Sequence, residues 1–168
     1  MAILVGLPLL IITAVLQVTL MPQLRLLDGS PDLVFLVVVS WALRGRLETS
    51  LAWAFMGGMA LDLLSIQPLG TTTLGIVIVI YGIGGLDERL YKIGFFALIG
   101  IVLVGTVVMQ LCLIAVLFLT GHSLDWGYAL TDVIAPTLFY NAVAIWPIYG
   151  FVYLLQKQIE RHGGFSLD

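Results

Sequence analysis

Gly58-Met59-Ala60-Leu61-Asp62-Leu63-Leu64-Ser65-Ile66-Gln67-Pro68-Leu69-Gly70 decides how the chain is read. It sets a carboxylate, a hydroxyl and an amide at the end of an apolar run, then turns the chain with a proline and a glycine. The flanking segments are built for lipid. There an ionisable side chain is expensive and marks a candidate functional position, so Asp62 is the first residue to explain.

Composition widens the point. Of 168 residues, 61% are hydrophobic and 10% charged, whereas a soluble domain carries about 25% charged residues. The mean hydropathy is +1.12. At about 20 residues per crossing, the chain holds about six spans with short loops and no separate soluble domain. The net charge of −3 and the lack of a basic run exclude a nucleic-acid partner. Cys112 has no second cysteine to pair with and reads as a small core residue. Ile3–Met21 lacks a basic n-region and a small-residue cleavage site, so it reads as a retained helix.

One all-α integral-membrane domain over residues 1–168 is therefore expected, with spans near 3–21, 32–43, 49–64, 71–86, 93–119 and 133–155. Thr13, Gln17 and Thr19 are the polar members of the first span. Asp32, just after Pro31, suits a helix N-terminus, where a carboxylate meets the positive end of the dipole. The second and third segments are short for a bilayer. Snorkelling of Arg44 and Arg46, or local thinning, closes the gap; otherwise the pair forms a compact hairpin. Asp87–Lys92 reads as a tight charged loop and residues 120–132 as a polar loop. Pro136 and Pro147 should break the last helix, with a kink at Pro147.

Alternating loops place Arg44, Arg46, Arg89, Lys92, Lys157 and Arg161 on one side and leave Arg25 on the other. By the positive-inside rule both termini are cytoplasmic. Trp41, Trp53, Tyr91 and Tyr153 then read as inner-boundary anchors, and Trp126 and Tyr128 as outer ones.

Asp62 lies near the C-terminal end of its helix, where the dipole disfavours a negative charge. Compensation can come from Arg25, from the hydroxyls of Thr71, Thr72 and Thr73, or from free N–H groups at the start of the next helix. Two roles stay open: a structural lock of the Ser65–Pro68–Gly70 turn, or a binding or proton-carrying carboxylate. Asn141, between Pro136 and Pro147, must hydrogen-bond within the bundle or to a ligand. Gly94, Ala97, Gly105, Val108, Cys112 and Ala115 share one face of the fifth span. Gly75, Gly82 and Gly85 do the same on the fourth. Such faces pack within a bundle or receive a partner's helix. No strict GxxxG occurs, and no zinc-protease, serine-hydrolase or Walker signature is present.

Leu16-Gln17-Val18-Thr19-Leu20-Met21-Pro22, then Pro31-Asp32-Leu33, Leu43-Arg44-Gly45 through Glu48, the Asp62–Gly70 motif and Pro136…Asn141…Pro147 together resemble the rod shape-determining protein MreD family. The resemblance runs nearly end to end. It implies a non-enzymatic, multi-pass component of the cytoplasmic (inner) membrane without cofactors. Such proteins belong to the rod (elongasome) complex, bind the single-span protein MreC, and help couple MreB filaments to peptidoglycan synthesis and cell shape. The synthases implied are a class B penicillin-binding protein and a rod-complex glycosyltransferase.

The family's fold is similar to the substrate-binding S-subunit of energy-coupling-factor vitamin transporters, which implies a central cavity. That likeness makes a small-solute transporter subunit the rival expectation. Those subunits dock through Ala-x-x-x-Ala, a spacing no alanine pair here has. A generic bundle that only stabilises a neighbour is the third. On the MreD expectation, the small-residue faces or the short hairpin receive the MreC helix. The basic loops at Arg44–Glu48 and Asp87–Lys92 then face the cytoskeleton and anionic headgroups.

Overall fold

The computed structural model describes residues 2–23, 29–65, 68–85, 95–121 and 126–163. Helix α1 (Ala2–Leu20) runs into a 3₁₀ turn, Met21–Gln23. Helices α2 (Leu33–Ala42), α3 (Leu47–Leu64), α4 (Thr71–Gly84) and α5 (Phe95–Leu119) follow. A helical turn at Trp126–Tyr128 and a π-helical segment at Ala129–Ile134 then lead into α6 (Ala135–Gly163). The described residues form no strand. Among the described residues, three stretches are long and apolar enough to cross a membrane: Gly6–Gln23, Phe96–Leu119 and Ala129–Ile159.

Helix α2 is the centre of the bundle. Every residue from Val34 to Trp41 is buried, and a helix that is hydrophobic all round has nowhere else to go. It packs on α1, α3, α4 and α6, and its Phe35 ring touches Gly105 of α5. Its 10 residues and the 14 of α4 give rods of about 15 and 21 Å, against a hydrocarbon core of about 30 Å. The segment expected as a short span or half of a hairpin is thus an enclosed rod. The long helices face outward, with Ile12, Val104, Leu111, Phe118, Phe139 and Phe151 exposed. In water such a surface would aggregate; in lipid it is the solvated face.

Several expectations are corrected. Trp41 and Trp53 are core residues, 5% and 0% exposed, stacked with centroids 4.0 Å apart. An aromatic residue near a helix end serves equally as anchor or core, and here the all-apolar α2 draws both rings inward. The stretch expected as a loop up to residue 132 is helical from Trp126. Pro136 has no N–H for the Asp132 carbonyl, and the segment ahead of it winds as a π-helix instead of breaking. Helix α6 runs uninterrupted through Pro147. Among the described residues a Cβ on Gly82 would meet nothing within 4 Å, whereas Gly75 seats Met109 and Gly105 seats Phe35 and Val79. Arg25, Gly94 and the charged loop 87–92 lie outside the described residues.

One close helix approach concerns the opening stretch. A Cβ on Gly58 of α3 would lie 2.5 Å from the Thr73 Cα of α4, so only glycine lets the two backbones meet. Gly58→Ala should therefore lower stability by about 1–3 kcal/mol. Gly82→Ala, with open space around it, should not. Denaturant unfolding in detergent, followed by tryptophan fluorescence, checks the pair.

Candidate functional site

The four N-terminal donors of any helix need partners, and lipid supplies none. At α4 the partner is Asp62. Its Oδ2 accepts the Gly70 N–H at 3.0 Å, the Thr73 N–H at 3.1 Å and the Thr73 hydroxyl at 2.6 Å. Its Oδ1 accepts the Thr72 N–H at 3.0 Å. The Thr71 N–H and hydroxyl both donate to the Pro68 carbonyl, at 3.2 and 2.8 Å. Leu74 N–H returns to the Gly70 carbonyl at 2.9 Å. Gly70 opens α4 at φ +90°, a left-handed conformation that favours glycine. The carboxylate, disfavoured by its own helix end, thus sits on the positive end of the next helix. Of the expected compensators, the backbone N–H groups and Thr73 act directly; the Thr71 hydroxyl goes to Pro68 instead.

At α2 the partners come from two other helices, one of them braced in turn by α5. Asn141 of α6 accepts the Asp32 N–H on Oδ1 at 2.8 Å and donates from Nδ2 to the Thr106 hydroxyl of α5 at 2.9 Å. The Thr106 hydroxyl in turn donates to the Val102 carbonyl. Gln17 of α1 accepts the Val34 N–H on Oε1 at 2.9 Å and donates from Nε2 to Asp32 Oδ1 at 3.2 Å. Asn141 and Thr106 are fully buried. The other end of α2 is served by Gln156 of α6, whose Nε2 donates to the Trp41 carbonyl at 3.3 Å.

Between these two nodes lies a cavity of about 560 Å³. It is bounded by the C-terminal ends of α1 and α3, the N-terminal ends of α2 and α4, and the middle of α5. Gln17, Asp32, Ser65, Thr72 and Gln110 supply its polar wall. Ser65 Oγ is buried there without a hydrogen-bond partner.

The structure brings Asp62, Ser65, Pro68 and Gly70 into one turn. Asn141 sits in the second node, and Pro136 beside it packs on Gly29. Pro147 is exposed on α6. At the opposite end, the Arg44 guanidinium lies 4.4 Å above the Tyr153 ring, a cation–π contact that ties the α2–α3 turn to α6. Sequence reasoning missed Gln17, Asp32, Thr106 and Gln156 as partners of these nodes. Each is a polar residue in an apolar helix or at its end, which was the available signal. Among the described residues no group of three His, Cys, Asp or Glu side chains is placed to hold a metal ion.

These features define an all-helical membrane protein whose polar side chains hold helix ends together. The chain belongs to the rod shape-determining protein MreD family, whose model matches residues 1–159. That family carries a role in the determination of rod shape and is not known as enzymatic. No curated protein and no solved structure matches the chain.

Asp62→Leu strands three backbone N–H groups and a hydroxyl, and should cost about 3 kcal/mol or more. Asp62→Asn keeps one acceptor oxygen and should fall between Leu and wild type. Unfolding midpoints and yield in detergent measure the order.

Proposed function

We propose that the protein is a non-enzymatic membrane scaffold of the rod complex that binds MreC. Through MreC it helps couple MreB filaments to the class B penicillin-binding protein and glycosyltransferase that build peptidoglycan. Membership of the MreD family carries the reading. The hydrogen-bond pattern supports it. Asp62 and Asn141, the polar groups that would serve a reaction, are engaged at helix ends and cannot leave without exposing backbone.

In this reading the chain crosses the cytoplasmic membrane six times with both termini inside, and the Asp62 turn faces outward. The short α2 and α4 count as crossings because neighbouring helices cover their ends. Arg44 and Arg46 sit at the inner surface, where anionic headgroups attract them.

The docking face is sharpened by the packing. Gly75 and Gly105 are filled from within the bundle, so the small-residue faces are not open to a partner at those points. An apolar groove of about 290 Å³ between α1 and α3 remains, lined by Leu7, Ile11, Phe55, Met59 and Leu63. Phe55 and Leu63 are 54% and 69% exposed beside Leu7 and Ile11 at 45% and 48%. The single span of MreC fits this groove by van der Waals packing, the force that associates helices in lipid.

Detergent pulldown with tagged MreC tests the reading. Wild type should retain MreC, and Met59→Trp, which fills the groove, should lower recovery about tenfold, a loss of about 1.4 kcal/mol. Retention of a vitamin by a wild-type protein that does not associate with MreC contradicts the scaffold reading.

A further inference from the structure

The cavity between the two capped helix ends is not explained by scaffolding. Its volume of about 560 Å³ falls within the roughly 300–1,000 Å³ of small-molecule pockets. Its wall has two characters. Gln17, Asp32, Thr72 and Gln110 contribute polar groups to it, and Val18, Leu61, Met109 and Leu113 contribute apolar ones. Water alone would satisfy the first and leave the second wetted at a cost. An amphiphile satisfies both.

The polar side also has a sign. Asp62 is saturated by donors, so it offers nothing to the cavity. Asp32 is different. Gln17 donates to its Oδ1 and the Asn141 side chain also hydrogen-bonds its carboxyl, yet among the described residues it forms no ion pair and no Lys, Arg or His lines the cavity. The N–H groups of Gly70, Thr72 and Thr73, which could otherwise hold an anion, are taken by Asp62. A carboxylate in lipid surroundings with hydroxyl and amide acceptors beside it calls for a cation that donates several hydrogen bonds.

We propose that this cavity binds a small amphiphile through a primary ammonium group held by Asp32, with Gln110 beside it and the alkyl part against Leu61, Met109 and Leu113. Two sources share that chemistry: a free amine and the headgroup of phosphatidylethanolamine.

The test uses the full chain in detergent with hexylamine, hexan-1-ol and hexanoate as matched probes, read by thermal unfolding through tryptophan fluorescence. Hexylamine should bind about tenfold more tightly than hexan-1-ol, the worth of a charge-assisted hydrogen bond, and hexanoate should not bind. Asp32→Asn should remove the preference. Gln110→Leu, on the outer helix α5, provides a second variant should Asp32→Asn not fold, and it should weaken hexylamine several-fold.

Native mass spectrometry from bilayer discs then separates the sources. A phosphatidylethanolamine adduct that is absent with phosphatidylglycerol assigns the lipid headgroup, and hexylamine binding without such an adduct assigns a free amine. Equal affinity for all three probes overturns the proposal. So does an amine preference that survives Asp32→Asn, or unchanged affinity in Gln110→Leu. Hexylamine binding seen only after Arg25→Ala would mean that the chain supplies its own counter-ion, and overturns it too.

Discussion

Two short helices, α2 and α4, begin with backbone donors that side chains of neighbouring helices satisfy, and the rest of the structure is arranged around that fact. A backbone N–H left unpaired in hydrocarbon costs several kcal/mol, more than most single packing contacts return. The chain answers with side chains borrowed from other helices. Asp62 serves the start of α4, Gln17 and Asn141 serve the start of α2, and Gln156 serves its end. Each cap is also a cross-link, because donor and acceptor belong to different helices. Specific packing thus follows from backbone satisfaction as well as from shape.

This division of labour explains the composition. The long helices α1, α5 and α6 satisfy themselves and turn apolar side chains to lipid, whereas the short α2 is enclosed. Polar residues in the membrane-embedded part are few and mostly accounted for. The exceptions among the described residues are Trp53 Nε1, Ser65 Oγ and Gln156 Oε1, which are buried without a partner. Scaffolding and ligand binding are compatible here. An occupied cavity would brace the same end of the bundle as the Asp62 turn.

What was legible in the sequence follows the distance between partners. The Asp62 cap joins residues 8 to 11 apart, so the N–H groups of the next helix could be named as compensators beforehand. The Asn141–Asp32 bond joins residues 109 apart and the Gln156–Trp41 bond 115, separations at which spacing carries no information. Asn141 could be recognised as needing a partner, but Asp32 could not be recognised as that partner. Helix α2 was read from its length as a marginal span. Its unbroken apolar run from Leu33 to Val39 was the better guide to burial. Trp41 and Trp53 were misplaced because the rule for interfacial aromatics takes no account of which helix is enclosed.

The central claim is that side chains of neighbouring helices, not water or lipid, satisfy the starts of α2 and α4. Site-resolved hydrogen exchange of the protein in bilayer discs tests it most directly. The amides of Asp32, Val34, Gly70, Thr72 and Thr73 should exchange within about tenfold of mid-helix amides such as those of Val38 and Ile80, since opening them requires the bundle to separate. Exchange at these five amides as fast as at an unprotected helix end, with the helix interiors still protected, would contradict it.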